Sequence, residues 1–164
     1  MTPPPIEFRY DVTPADAPTV REIVDSTSFF NPAEVDIAVE LVDENLAKGA
    51  VASGYYFVFA QCAGRTVGYA CYGPIAGTAA SHDLFWIAVH RDYQNRGLGA
   101  VILAHAEQCI ARAGGRRIYV ETSSRAQYIP TRRFYERHGY LREADLVDFY
   151  APGDNKAIYV KAVG

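Results

Sequence analysis

Residues Ala88–Ile110 read AVHRDYQNRGLGAVILAHAEQCI, a strand-like run that passes through a polar turn and Arg96-Gly97-Leu98-Gly99 into an apolar helical pattern. A helix start carries unpaired backbone N–H groups and the positive end of the helix dipole. A phosphate fits there if no side chain blocks its approach, and Gly97 and Gly99 remove two side chains from that place. Gln94 and Arg96 are positioned to add side-chain donors at the rim, so the stretch reads as a pyrophosphate cradle. A dinucleotide-binding turn requires a third glycine where Ile102 stands, and the Lys-Ser/Thr pair of a nucleoside-triphosphate loop is missing. A ligand-free turn that merely tolerates glycine gives the same short pattern by chance, so the surroundings must decide.

A chain of 164 residues is long enough for one domain with a real core, expected over residues 6–164 behind a disordered lead at 1–5. Apolar residues make up 49% and charged residues 21%, ordinary for a globular protein. Nineteen acids against sixteen bases give a net charge of −3, which disfavours a nucleic-acid footprint and mildly suits a cationic acceptor. No run approaches the ~20 apolar residues of a membrane helix, and the start MTPPPIEF lacks the basic and apolar regions of a signal peptide. Three cysteines cannot all pair. With a hairpin turn at Gly64-Arg65, Cys62 is expected opposite Val67 and Cys71 opposite Val58, out of register, which points to a reduced cytoplasmic protein.

Glu7 to Val12 reads as an edge strand, followed by helical patterning through TVREIVDSTSF. A second helix is expected to open at Asn31-Pro32, since Asn caps well and Pro tolerates the first turn, and to stop at Gly49. YYFVFAQCA and TVGYACYGPI form a hairpin, DLFWIAV a fourth strand, 98–113 a helix and RIYVET a fifth strand. A short helix around TRRFYERH ends at Gly139, and YLREADLVDFY and KAIYVKAV close the chain as two strands. Hairpins mixed with strand-helix-strand crossovers predict an α+β fold with a partly parallel sheet.

Gln94–Gly99, QNRGLG, matches the pattern Gln/Arg-x-x-Gly-x-Gly and follows WIAV; further on, TRRFYERHGY carries Phe-Tyr-Glu and ends in Gly-aromatic. On these motifs, and on the order of elements over nearly the whole chain, the sequence resembles the GNAT (GCN5-related) N-acetyltransferase family. The resemblance implies a mixed, mostly antiparallel seven-stranded sheet with about four helices, splayed between the fourth and fifth strands. It implies acetyl-coenzyme A as co-substrate, held through Gln94, Asn95, Arg96, Gly97, Leu98 and Gly99, with pantetheine on the backbone of Ile87, Ala88 and Val89. There are two departures from the pattern: Arg91 stands where many relatives have Pro, and Tyr128 and Thr131 replace an Asn-x-x-Ala lead, so an Asn contact to the cofactor is not carried over.

The chemistry implied is attack of a neutral amine on the thioester, stabilisation of an oxyanion and departure of a thiolate. Tyr135, in the family's Phe-Tyr-Glu helix, is the expected proton donor, because a phenol of pKa ~10 is protonated at neutral pH. Asp83, six residues before Val89 and on the strand face of Phe85 and Ile87, leads as base. A carboxylate beside aromatic groups can have the raised pKa a base needs. Against this, an Asp there also suits a turn; Glu121 is second, and a water chain without a dedicated base is equally tenable. Phe29, Phe30, Phe85 and Tyr128 are candidates to hold the acceptor, for which core packing is the competing explanation.

No metal is expected: His105 and Cys109 lie four apart on one helix, but two ligands without a third read as packing. His82 reads as a residue of a solvated turn, His90 and His138 as surface or capping groups. The preferred acceptor is a small-molecule amine, ahead of a protein lysine or terminal amine. An acetyl-coenzyme A sensor without turnover and a dehydrogenase-like nucleotide binder are the rival classes. Monomer and homodimer both remain compatible with the chain.

Overall fold

Every predicted element forms, and the differences lie in turns and ends. The computed structural model describes residue 2 and residues 4–164; the expected lead over 1–5 thus falls partly outside the described residues. The first half runs β1 (Ile6–Arg9), α1 (Asp16–Ser26), α2 (Pro32–Ser53), β2 (Tyr56–Cys62) and β3 (Arg65–Pro74). The second runs β4 (Ser81–Val89), α3 (Leu98–Arg112), β5 (Arg117–Ser123), α4 (Ile129–Arg137), β6 (Leu141–Ala151) and β7 (Asp154–Ala162). Short 3-10 turns at Arg91–Tyr93 and Ala126–Tyr128 precede α3 and α4. The strands form one mixed sheet of seven in the order β1-β2-β3-β4-β5-β7-β6. β4 and β5 pair in parallel, and their ladder ends after Ser81↔Arg117, His82↔Ile118 and Asp83↔Tyr119.

The chain forms two compact units, one of residues up to Gly73 with Trp86–Gln108, the other of Pro74–Phe85 with Cys109–Gly164. In the first, Val20, Ile23 and Val24 of α1 and Val35, Ala38, Val39 and Val42 of α2 pack on Phe57, Phe59, Tyr69 and Cys71. Each such side chain, if large, contributes roughly 1.5–3 kcal/mol on leaving water. The Tyr69 hydroxyl sits in this core with no hydrogen-bond partner among the described residues. A capping box starts α2: Glu34 N–H donates to the Asn31 side chain (2.9 Å) and Asn31 N–H to the Glu34 carboxylate (2.8 Å). Gly49 does not end α2 as expected; its φ of 82° interrupts the helix, which resumes to Ser53 and is capped by left-handed Gly54.

The β2–β3 turn also differs from expectation. Ala63 and Gly64, at φ 50° and 80°, make the turn, where Gly64-Arg65 was expected. With a bulge after Ala60, Cys62 therefore stands opposite Arg65 and Cys71 opposite Phe57. All three cysteines are free. Gly68 of β3 is required for close packing: a Cβ there would lie 2.7 Å from Ile102 Cδ1 and 3.1 Å from the Ala88 carbonyl oxygen. That seats α3 directly on the sheet.

In the second unit Ile110, Ile118, Val120, Tyr135, Tyr140, Ala157, Tyr159 and Val160 are buried. Tyr159 donates its hydroxyl to Glu136 of α4 at 3.1 Å. Strand β6 is the outer strand, exposed along nearly its whole length. It is irregular between Leu146 and Ala151, where Asp148 takes φ 54°. The Asp148 amide donates to the Asn155 side chain (2.9 Å) and its carboxylate accepts from Gly153 N–H (2.8 Å). No helix among the described residues is long and apolar enough to cross a membrane.

One charged pair ties β1 to α1. Arg9 donates to both Asp16 oxygens, at 2.8 and 2.6 Å, and Thr13 N–H donates to the same carboxylate at 2.7 Å. Burial pushes the Asp16 carboxyl up, but the Arg9 and Thr13 hydrogen bonds and the Arg9 charge outweigh it and hold the pKa below its ordinary value. The pair's contribution is therefore present above the unfolded pKa of ~3.9 and is lost as pH falls through the folded value. Asp16→Asn is expected to lower stability by about 2 kcal/mol at pH 7. Urea unfolding should show the difference from the parent shrinking as pH falls below ~4.

Candidate active site

The glycine turn has the backbone its sequence calls for. Asn95 and Gly97 both take left-handed φ, 62° and 76°, on either side of Arg96. Nothing lies within 4 Å of the place a Gly97 Cβ would occupy. The first helical bond runs from Val101 N–H to the Gly97 carbonyl (3.3 Å), so the amides of Leu98, Gly99 and Ala100 precede it. Residues 94–97 are exposed, while Leu98 is buried and anchors the helix start.

The side chains expected at the rim are turned onto the loop itself. Gln94 donates to the Val89 carbonyl at 3.0 Å, and Arg96 donates to the Asp92 carbonyl at 3.1 Å while its guanidinium lies over the Tyr93 ring at 5.4 Å. Both brace the turn, leaving the backbone as the surface offered outward. Ile87, Ala88 and Val89 form the end of β4, with Ala88 buried and the other two half-buried. In this same unit Phe30 stacks edge-on against Trp86 (4.9 Å) and packs on the core, and Phe29 contacts it at 5.1 Å. Phe30 is thus a packing residue first.

In the second unit, Asp83 is the third residue of β4 and faces Glu121 of β5 and Lys156 of β7. Burial and the Glu121 charge push its carboxyl above the ordinary value, and Lys156 opposes them. Lys156 was not singled out by sequence. Its ammonium lies 2.9 Å from a Glu121 oxygen and 3.7 Å from the centre of the Phe149 ring, with only 12% of the side chain exposed. Tyr150 has its phenol pushed up by burial and by the nearby Glu121, Asp154 and Tyr128. Tyr128, at the entry to α4, lies under the Arg125 guanidinium, which pairs with Asp154 at 3.2 Å. Phe85 follows on β4, 39% exposed. The only sequence signal for Lys156 was its place in the expected final strand, KAIYVKAV.

Tyr135 is 5% exposed, held edge-on by Phe134 (5.3 Å) and Tyr140 (5.4 Å). Burial raises its phenol well above the ordinary value. His82 corrects its expected place in a solvated turn: β4 begins at Ser81, and His82 is buried beside Gly115, whose missing Cβ leaves room for the ring. His90, expected at the surface or as a cap, is buried and caps the 3-10 turn by accepting from Asp92 N–H (3.2 Å). His105 stacks on Phe8 at 4.0 Å. No group of three His, Cys, Asp or Glu among the described residues could hold a metal ion.

Residues 53–142 match the family model described as the acetyltransferase (GNAT) domain. A solved GNAT-family protein from Desulfovibrio desulfuricans is 48% identical, covering 98% of this chain and 100% of its own, with a TM-score of 0.94. The chain belongs to the GNAT acetyltransferase family, enzymes that use acetyl-coenzyme A. More distant structures share the fold. The PaiA N-acetyltransferase of Thermoplasma acidophilum, solved with coenzyme A, is 17% identical over 96% of this chain and 99% of its own (TM-score 0.71). The aminoglycoside 6'-N-acetyltransferase of Enterococcus faecium is 17% identical over 95% and 96% (TM-score 0.74). No curated protein sequence matches the chain.

The Tyr135 environment makes a spectroscopic prediction. The difference in 295 nm absorbance between the parent and Tyr135→Phe should show no ionisation step at pH ~10, the ordinary phenol value. Because the folded pKa is raised, stability is full below that value and falls as pH rises past it. A step near 10 in that difference would show an exposed phenol.

Proposed function

We propose that this chain transfers the acetyl group of acetyl-coenzyme A to the amine of a small molecule, in the cytoplasm. The observation that carries the reading is the turn at Gln94–Gly99, where left-handed Asn95 and Gly97 leave the first amides of α3 open to a diphosphate. In this reading the backbone of Ile87, Ala88 and Val89 binds the pantetheine arm as an added strand would. The early end of the β4–β5 ladder supports that, since β4 donors beyond Asp83 are spared. Three free thiols suit a reducing compartment.

The acceptor nitrogen attacks the thioester carbonyl carbon, and its proton passes to Asp83. The carbon–sulfur bond then breaks, and the departing sulfur takes the phenol proton of Tyr135. The phenoxide regains a proton from solvent and Asp83 releases its own to solvent, which returns both groups to their starting forms. Burial keeps the resting phenol protonated, and burial with the Glu121 charge raises the Asp83 carboxyl above its ordinary value. Phe85 and Tyr128, beside this acidic cluster, are the proposed acceptor contacts. Carboxylates and ring faces together favour an ammonium-bearing acceptor in transit to its neutral form. Release of free thiol over a panel of small amines and peptides tests the choice, small amines being the expected substrates; turnover of peptides alone would overturn it.

Gly97→Val should raise the calorimetric Kd for coenzyme A at least about tenfold, since it strains the turn and fills its mouth. Gly77→Val is the control. Gly77 has the same left-handed backbone, φ 80°, with nothing within 4 Å of a Cβ, so it carries equal strain and should leave the Kd unchanged. Tyr135→Phe should keep that Kd and lower kcat by about a hundredfold, the scale of a lost general acid.

A further inference from the structure

The second unit holds two carboxyl groups and one ammonium whose arrangement follows from strand register. Asp83 stands opposite Tyr119 in the parallel ladder, and Glu121 lies two residues further along the same face of β5. In the antiparallel ladder Ser123 stands opposite Lys156, so the lysine emerges on that face as well. Its ammonium is fixed from two sides, by the Glu121 carboxylate at 2.9 Å and by the Phe149 ring at 3.7 Å. Only 12% of the lysine side chain is exposed, so its end of this charge-assisted pair is shielded from water.

We infer that Lys156 is a positioning residue for proton transfer: it grips Glu121, leaving Asp83 as the member of the pair that takes up the acceptor's proton. The inference rests on the reading of Asp83 as base given above. Two neighbouring carboxyl groups without a cation would share one proton, and neither would have a defined role. Lys156 breaks that symmetry because it grips Glu121 directly. The other groups facing the cluster are Tyr150 of β6, and beyond it Asp154 of β7 and Tyr128 ahead of α4; Asp154 is already matched by Arg125. The signs of the two influences on Asp83 are opposite: the Glu121 charge favours its protonated form, the Lys156 charge its ionised form.

The test reads those signs twice. In the free protein, the Asp83 side-chain carboxyl carbon is followed by NMR against pH in the parent, Lys156→Met, Lys156→Arg and Glu121→Gln. In parallel, the acidic limb of kcat/KM is followed for the same proteins and for Asp83→Asn with one small amine. Lys156→Met should move both profiles to higher pH, Glu121→Gln should move both to lower pH, and Lys156→Arg should restore the parent position. General structural damage would not move the two in opposite directions. Unmoved profiles, or shifts of one sign for both variants, overturn the role of Lys156. If the NMR shifts appear but Asp83→Asn keeps the parent's acidic limb, Asp83 is not the base, and the positioning role fails with that reading while the electrostatic arrangement stands.

Discussion

A backbone amide that leaves water must be answered by an acceptor, and in this sheet the ladder between β4 and β5 stops answering after Asp83. Much of what distinguishes the chain from an ordinary mixed sheet follows from that stop. The strand continues to Val89, and its last carbonyl is held by Gln94 from the turn that follows. The turn then needs two left-handed residues to redirect the chain into α3, and Asn95 and Gly97 supply them. Gly68 lets α3 approach the sheet closely enough for Ile102 to seal it. An interrupted ladder, a braced turn and a helix mouth are therefore one construction, each part setting the geometry of the next.

The second unit answers a different demand, that of keeping ionisable groups ready away from water. Tyr135 is wrapped in aromatic rings, and burial makes its phenoxide costly, so the resting group is a neutral phenol. Asp83 is raised by burial and a like charge, and moderated by a cation. The two groups differ in kind. The phenol is tuned by exclusion of water alone, while the carboxyl is tuned by a balance of charges that a single side chain can tip.

What was legible in the sequence was local. The glycine spacing of 97 and 99, the Phe-Tyr-Glu helix and the cap Asn31 with Pro32 behind it each lie within one turn of backbone, and each forms where the residues say. The hairpin turn slipped by one residue because Ala63 takes a φ of 50°, a conformation alanine seldom adopts. Gly49 matched a helix stop in conformation but interrupts a longer helix, since Gly54 provides a second left-handed site five residues on. His82 looked like a turn residue because the start of β4 was invisible without its partner strand. Lys156 was invisible for the same reason: its closeness to Glu121 comes from the β5–β7 register, set by pairing between segments far apart in the chain.

The outermost strand has a consequence of its own. β6 presents Leu141, Val147 and Phe149 more than half exposed on the border of the sheet, with free peptide groups along it. A straight border of that composition would invite another strand to add on and begin a polymer. Asp148 prevents the straightness: its left-handed backbone and its links to Asn155 and Gly153 crumple the strand midway. An incoming strand meets a border whose hydrogen-bonding rhythm fails after a few residues, so greasy side chains can stay on display without seeding fibrils.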